Sequence, residues 1–190
     1  QVIERLRAVK DRSEIAQMAR AAQIMDGALE RVARKLKAGK TERDMARELE
    51  HLALTDGAES MAFETILAFG PSAALPHARP GDRVLESGQV VTIDCGAKAG
   101  GYCSDITRTY VVGRPDKTTR EVYQAVYDAQ QAAVKAARAG MRAADLDAVA
   151  RESLSRRGFV EEFSHGLGHG VGLEVHELPR VSPRSEDVLE

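Results

Sequence analysis

The 190-residue sequence is 43% hydrophobic, which is enough for a globular protein with its own core and argues against intrinsic disorder. Its 27 Lys and Arg side chains nearly balance 29 Asp and Glu side chains and form no long basic run, so no nucleic-acid partner is expected. No apolar stretch is long enough to span a bilayer and the first residues do not resemble a signal peptide, so we expect a cytoplasmic protein with no membrane partner.

The first half of the sequence opens with a pair of predicted helices. Apolar residues recur at helical spacing over residues 12–38, and Gly39 suits a C-terminal cap. Thr41 fits the N-cap of a second helix over residues 41–56. A similar pair of helices begins with residues 121–139. The pattern therefore predicts two helix-turn-helix units separated by other structure.

The two helical pairs share residues at a constant offset. The matches are Gly39 with Gly140, Asp44 with Asp145, Met45 with Leu146, and Gly57 with Gly158. We interpret them as an internal duplication covering approximately residues 12–70 and 113–178. Strands rich in β-branched residues are predicted at 61–68, 89–95 and 104–112. The sequence thus predicts one α+β domain over residues 1–190, incomplete at its C-terminal end, in which each half packs helices on a β-sheet.

Two aspartates lie on the strands of a predicted hairpin. If the turn is centred between Ala99 and Gly100, Asp94 stands directly opposite Asp105, with Thr107 on the same face. Two carboxylates so placed repel each other unless they share a proton or bind a cation. The alternatives are a solvated acidic pair or a register that slips by one residue. We expect a metal ion, since carboxylates and imidazoles together suit divalent metals.

The segment HGLGHGVGLEVHE places three histidines among four glycines. The glycines exclude a helix and permit a bulge or a close approach to the backbone. In an extended chain His165 and His169 point to one face, and His176 points to the other unless a bulge intervenes. Such crowding favours a functional site over isolated structural histidines.

Other common site motifs are missing from the sequence. The glycine spacing does not match GxGxxG, and neither GxSxG nor HExxH occurs. Cys95 and Cys103 form no CxxC motif, so we expect two reduced, buried thiols and neither a disulfide nor a zinc site.

The stretch IDCGAKAGGYCSDITRTYVV, followed by HGLGHGVGLEVHE, resembles the Xaa-Pro peptidases, aminopeptidase P and prolidase, of the pita-bread metallopeptidases. The resemblance covers essentially the whole chain, including FGPSAALPH. It implies the pita-bread (creatinase/aminopeptidase) fold, with two pseudo-symmetric halves and an antiparallel β-sheet. It also implies hydrolysis of the Xaa-Pro bond in dipeptides or at the N-terminus of longer peptides, and a homodimer. The alternatives are a creatinase-like amidinohydrolase and a non-catalytic member that binds a peptide or protein.

The resemblance also implies metal ligands. The family holds two divalent ions with two aspartates, one histidine and two glutamates, and manganese is the expected ion, with cobalt, zinc and iron as alternatives. Asp94 matches the bidentate ligand of one ion, Asp105 the bridging ligand and His169 the ligand of the other ion. The positions of the family glutamates lie beyond Glu190, and no glutamate of this chain matches them.

The remaining histidines match substrate-contacting positions of the same family. His77 and His176 match the catalytic pair that flanks the substrate and stabilises the developing charge. His165 matches a histidine that lines the site. The resemblance therefore predicts His77, His165 and His176 as substrate-binding residues for a proline-containing peptide.

Overall fold

A computed structural model describes residues 2–190. The helices are α1 (Val2–Ala8), α2 (Arg12–Ala33), α3 (Glu42–Thr55), α4 (Lys117–Ala136) and α5 (Ala143–Ser155), with a 3-10 helix at Gly70–Ala74. The strands are β1 (Ser60–Met61), β2 (Ile66–Phe69), β3 (Val90–Cys95), β4 (Ala97–Ala99), β5 (Tyr102–Cys103), β6 (Ile106–Val111), β7 (Gly168–Gly170) and β8 (Glu177–Val181). Within these residues no helix carries an apolar run that could cross a bilayer.

The chain divides into two compact units. The aspartate unit consists of residues 10–116 and 171–175, and it contains α2, α3 and β1 to β6. The histidine unit consists of residues 2–9, 117–170 and 176–190, and it contains α1, α4, α5, β7 and β8. Each unit therefore contains one of the two predicted helical pairs.

Local capping signals set the helix starts in the aspartate unit. Asp11 caps α2 by accepting hydrogen bonds from the backbone N–H groups of Ser13 and Glu14, and the Glu14 side chain accepts from the Asp11 N–H at 2.7 Å. Thr41 caps α3, as predicted, by accepting from the Asp44 N–H at 3.1 Å. α2 ends at Ala33, earlier than the apolar periodicity predicted. The periodicity continues beyond the helix because Leu36 still packs on the core.

Matching glycines follow the helices of both units. Gly39 and Gly140 have φ values of 90° and 81°, and Gly57 and Gly158 have values of 100° and 78°. This left-handed region suits glycine because the residue has no Cβ. The inferred duplication thus has glycines with positive φ at two matched pairs of positions, and it stays a prediction.

A three-stranded antiparallel sheet of order β2-β3-β6 forms the centre of the aspartate unit. Alternate residues of β3, Val91, Ile93 and Cys95, are buried in the core shared with α2 and α3. The intervening residues Thr92 and Asp94 are half-buried and therefore lie on the other face. The sheet thus has one face packed on helices and one polar face. In the histidine unit, α4 and α5 pack together on a smaller core that includes Val181 of β8.

The hairpin register differs from the predicted one. Ala99 pairs with Tyr102, so the turn consists of Gly100 and Gly101, with φ values of 57° and 79°. Two positive φ values are typical of a two-residue turn whose twist matches the strands. The turn is centred one residue further along the chain than expected. Asp94 consequently pairs with Thr107, and the predicted direct opposition of Asp94 and Asp105 is wrong.

Candidate metal and substrate site

Asp94 lies on the polar face of the central sheet. Its neighbours across the strands are Ile66 of β2 and Thr107 of β6. The Thr107 hydroxyl donates a hydrogen bond to Asp94 Oδ1 at 2.8 Å. A neutral donor therefore stands where the sequence predicted a second carboxylate, and it holds one oxygen of Asp94 in place.

Asp105 lies where the hairpin strands come unusually close. The Ser104 N–H donates to the Ala97 carbonyl at 2.8 Å, and the Ala97 N–H donates to Ser104 Oγ at 3.0 Å. The pairing register therefore continues through this point and sets Asp105 opposite Gly96. A Cβ on Gly96 would lie 2.0 Å from the Ser104 carbonyl oxygen, so only glycine fits there. Asp94 and Asp105 become diagonal neighbours, which are typically about 7–8 Å apart at Cα.

The pKa of the buried Cys95 thiol is affected by the charges of both carboxylates. Burial, which is the largest cause, and the negative charges of Asp94 and Asp105 together raise the pKa of Cys95 to about 12, although the positive charge of Arg108 opposes them. Cys95 therefore stays protonated at neutral pH and cannot serve as a nucleophile. Cys95 and Cys103 are both buried and free, as the sequence predicted.

Gly96→Ala is expected to destabilise the aspartate unit by about 1–3 kcal/mol, the usual range for forcing extra atoms into a packed site. The new methyl group must displace the Ser104 carbonyl oxygen, which would otherwise lie 2.0 Å away. Urea denaturation measures the change. Gly27→Ala on α2 is the control, because its nearest neighbour would be 3.9 Å away and alanine favours a helix. Equal midpoints for the two variants would contradict the close approach.

The histidine segment folds back on itself as β7 and β8. His169 pairs with Arg180 and Gly170 pairs with Glu177, so two residues, Leu178 and Pro179, bulge out of β8. The prediction that this segment is not helical is confirmed. His176 was expected to face away from His169 unless a bulge intervened, and the structure has such an irregularity, since the strand register shifts between His169 and Gly170. Because the chain turns, the His169 and His176 rings approach to 4.2 Å between centroids.

The ring orientation of two histidines is fixed by neighbouring carbonyl groups. His169 Nδ1 donates to the Gly170 carbonyl oxygen at 3.0 Å, and His165 Nδ1 donates to that of Gly166 at 2.7 Å. A carbonyl oxygen can only accept, so the proton of the neutral ring is on Nδ1 and the lone pair is on Nε2. Histidines that bind metals use this arrangement.

Two of the glycines allow close backbone contacts, as the sequence predicted. A Cβ on Gly170 would lie 2.1 Å from the Leu178 carbonyl oxygen, and one on Gly166 would lie 2.8 Å from that of Val181. Gly168 has nothing within 4 Å of such a Cβ. Gly166 and Gly170 therefore position the segment, whereas Gly168 leaves open space.

His77 lies in a turn after the 3-10 helix and is exposed. It belongs to the aspartate unit, as do Asp94 and Asp105, whereas His165, His169 and His176 belong to the histidine unit. Among residues 2–190 no three His, Cys, Asp or Glu side chains form a group able to hold a metal ion. The ligand set therefore stays a prediction, supported by the donor chemistry within each unit.

The sequence did not point to two charged pairs near the histidines. Arg7 of α1 pairs with Glu177, whose side chain is 5% exposed and which follows His176 directly. Nothing local in the sequence indicates that contact, because it joins the two ends of the chain. Asp147 and Arg151 pair on α5 at helical spacing, a signal that the sequence did contain.

Comparison with known proteins identifies close relatives. The Xaa-Pro dipeptidase of Pyrococcus furiosus is 46% identical over 188 residues, which are 99% of this chain and 54% of that protein. The solved structure of prolidase from Pyrococcus furiosus has a TM-score of 0.97 at 46% identity, over 100% of this chain and 56% of that chain. X-Pro aminopeptidase from Thermotoga maritima has a TM-score of 0.95 at 42% identity, over 99% of this chain and 53% of that chain.

These likenesses confirm the expected α+β pita-bread fold. The chain spans about half the length of the relatives that it matches. Residues 16–190 match metallopeptidase family M24. The chain therefore belongs to metallopeptidase family M24.

Proposed function

We propose that this protein is a metal-dependent exopeptidase that hydrolyses the Xaa-Pro bond in dipeptides or at the N-terminus of longer peptides. Its main support is the 46% identity to a protein named Xaa-Pro dipeptidase. The resemblance of motifs also matches Asp94, Asp105 and His169 to metal-binding positions of this family. A binding-only relative would have no physical need for two nearby carboxylates.

Asp94, Asp105 and His169 are the proposed ligands of two divalent metal ions. Carboxylate oxygens and a neutral imidazole suit manganese, cobalt, zinc and iron, and manganese is the first ion to test. The residues fit such ions, since Thr107 holds one oxygen of Asp94 and the Gly170 carbonyl leaves the lone pair of His169 on Nε2. Asp94 would bind one ion through both oxygens, Asp105 would bridge, and His169 would bind the other. A bound pair of ions lowers the pKa of a shared water and polarises a carbonyl group.

His77, His165 and His176 are the proposed substrate-binding residues. The His176 ring lies next to the ring of His169, and His176 is exposed, so it can meet a ligand close to His169. A neutral imidazole N–H stabilises negative charge that develops on the substrate carbonyl oxygen. His77 and His176 would take this role, and His165 would line the site beside the peptide. A cytoplasmic location and a homodimer are parts of the same proposal.

Peptide hydrolysis by the intact protein tests this function. An Xaa-Pro dipeptide and a longer peptide with Xaa-Pro at its N-terminus are compared with matched Xaa-Ala peptides, with added manganese and after chelation. We expect cleavage of the proline peptides only, and only with metal. Creatine is the substrate that tests the amidinohydrolase alternative. Failure to cleave any of these, with no divalent ion found by mass spectrometry of the protein, would favour the binding-only alternative.

A further inference from the structure

A buried ion pair lies on α5, within the histidine unit. Arg151 Nε donates to Asp147 Oδ2 at 2.6 Å. Asp147 is fully buried, and the Arg151 side chain is 25% exposed. A charged pair this deeply buried needs further hydrogen bonds to satisfy its remaining groups.

Those further bonds all go to one segment, residues 163–167, which is defined here as the histidine approach. Arg151 Nη1 donates to the Phe163 carbonyl at 2.8 Å, and Nη2 donates to the His165 carbonyl. Asp147 Oδ1 accepts from the Leu167 N–H at 2.9 Å. The backbone groups of Phe163, His165 and Leu167 are thereby hydrogen-bonded to α5. The planar fork of arginine directs its donors to Asp147 and to both carbonyl groups, a fixed geometry that the compact ammonium group of lysine does not provide.

The same guanidinium group also fixes the side chains of the histidine approach. Arg151 Cζ lies 4.5 Å from the centroid of the Phe163 ring. The Phe163 ring in turn meets the His165 ring edge-on, with 4.8 Å between centroids and 77° between planes. The position of the His165 ring therefore depends on Arg151 through both the backbone and the Phe163 ring.

We propose that Asp147 and Arg151 are positioning residues that hold His165 in place for the peptide substrate. The role of His165 rests on the function proposed above. Because His165 would contact bound substrate, loss of the ion pair should weaken substrate binding more than it slows the chemical step. The hydrogen bond from His165 Nδ1 to the Gly166 carbonyl should also change, since both lie in the tied segment.

The test compares Arg151→Lys with a control at Arg156, the C-cap residue that follows α5. Arg156→Gln breaks an arginine–glutamate pair of the same spacing, in which both side chains are exposed and no loop is held. The readouts are the imidazole resonances of His165, assigned with His165→Gln, and the KM and kcat of Xaa-Pro dipeptide hydrolysis with manganese. Arg151→Lys should shift the resonances and raise KM about tenfold or more, with kcat changed less than about threefold, in the range typical of residues that orient a site. Arg156→Gln should change neither.

A second variant covers the case in which Arg151→Lys fails to fold. Phe163→Leu keeps the ion pair and removes the ring that contacts His165, so it should also shift the His165 resonances and raise KM. Unchanged resonances and KM in the folded variants would overturn the positioning role, as would a loss of kcat at constant KM. If the wild-type protein cleaves no Xaa-Pro peptide, the proposed function fails. The positioning of His165 by Arg151 is then decided by the resonances alone.

Discussion

Asp105→Asn is expected to lower metal-dependent hydrolysis of an Xaa-Pro dipeptide by more than about 100-fold, beyond the 10–100-fold typical of residues that only support a ligand. An asparagine amide is neutral and has one oxygen that can bind a metal, so it cannot bridge two cations as a carboxylate does. The fold should survive, because Asp105 is half-buried and lies outside the hydrophobic core. Removing one of two nearby negative charges should also relieve repulsion with Asp94 in the metal-free protein.

The measurement is kcat/KM over a manganese titration, together with the number of metal ions bound at saturation. Asp82→Asn is the control, since it makes the same change in the same unit at a side chain that is 81% exposed. It should keep wild-type turnover. Wild-type turnover and metal content in Asp105→Asn would refute its assignment as a bridging ligand.

Gly170→Ala is expected to destabilise the histidine unit by about 1–3 kcal/mol and to separate the adjacent rings of His169 and His176. The added Cβ would lie 2.1 Å from the Leu178 carbonyl oxygen, a backbone atom that cannot rotate away. The bulge of β8 must therefore shift, and it carries the chain that leads back to His176. In contrast, Gly168→Ala places its methyl group in open space, so it should be neutral or stabilising by about 0.4–1 kcal/mol through the unfolded state.

Urea denaturation and the imidazole spectra of His169 and His176 measure both effects. The two glycines lie in the same short strand, so differences between the variants report the local contact and not strand propensity. We expect a lower midpoint and altered spectra for Gly170→Ala only. The same midpoint for both variants would show that the bulge accommodates a side chain.

Helix positions could be predicted from the sequence because their signals are local. Thr41 and its bond to Asp44 involve residues three apart, whereas Gly39 was a misleading signal for the end of α2, which stops at Ala33. The hairpin register could not be predicted in the same way. Ala99, Gly100 and Gly101 allow two turn positions, and a shift of one residue in the turn moves each cross-strand partner by two.

The geometry of the candidate site depends on contacts between strands, and a single sequence does not reveal such contacts. The resemblance supplied the candidate residues, but the approach of His169 to His176 results from a reversal of the chain between β7 and β8. Counting alternate residues along one strand could not foresee it. The bulge at Leu178 and its fit to Gly170 likewise depend on two strands together. The only sequence signal for these close backbone contacts was the presence of glycine at the positions concerned.

The ion pair between Arg7 and Glu177 limits how far the N-terminus can be shortened for expression. The family match starts at residue 16, which invites a boundary after α1. Such a cut would discard the guanidinium group that faces an enclosed carboxylate beside His176. A boundary placed by similarity alone would therefore remove the partner of Glu177 in the histidine unit, so shortened versions should begin before Arg7.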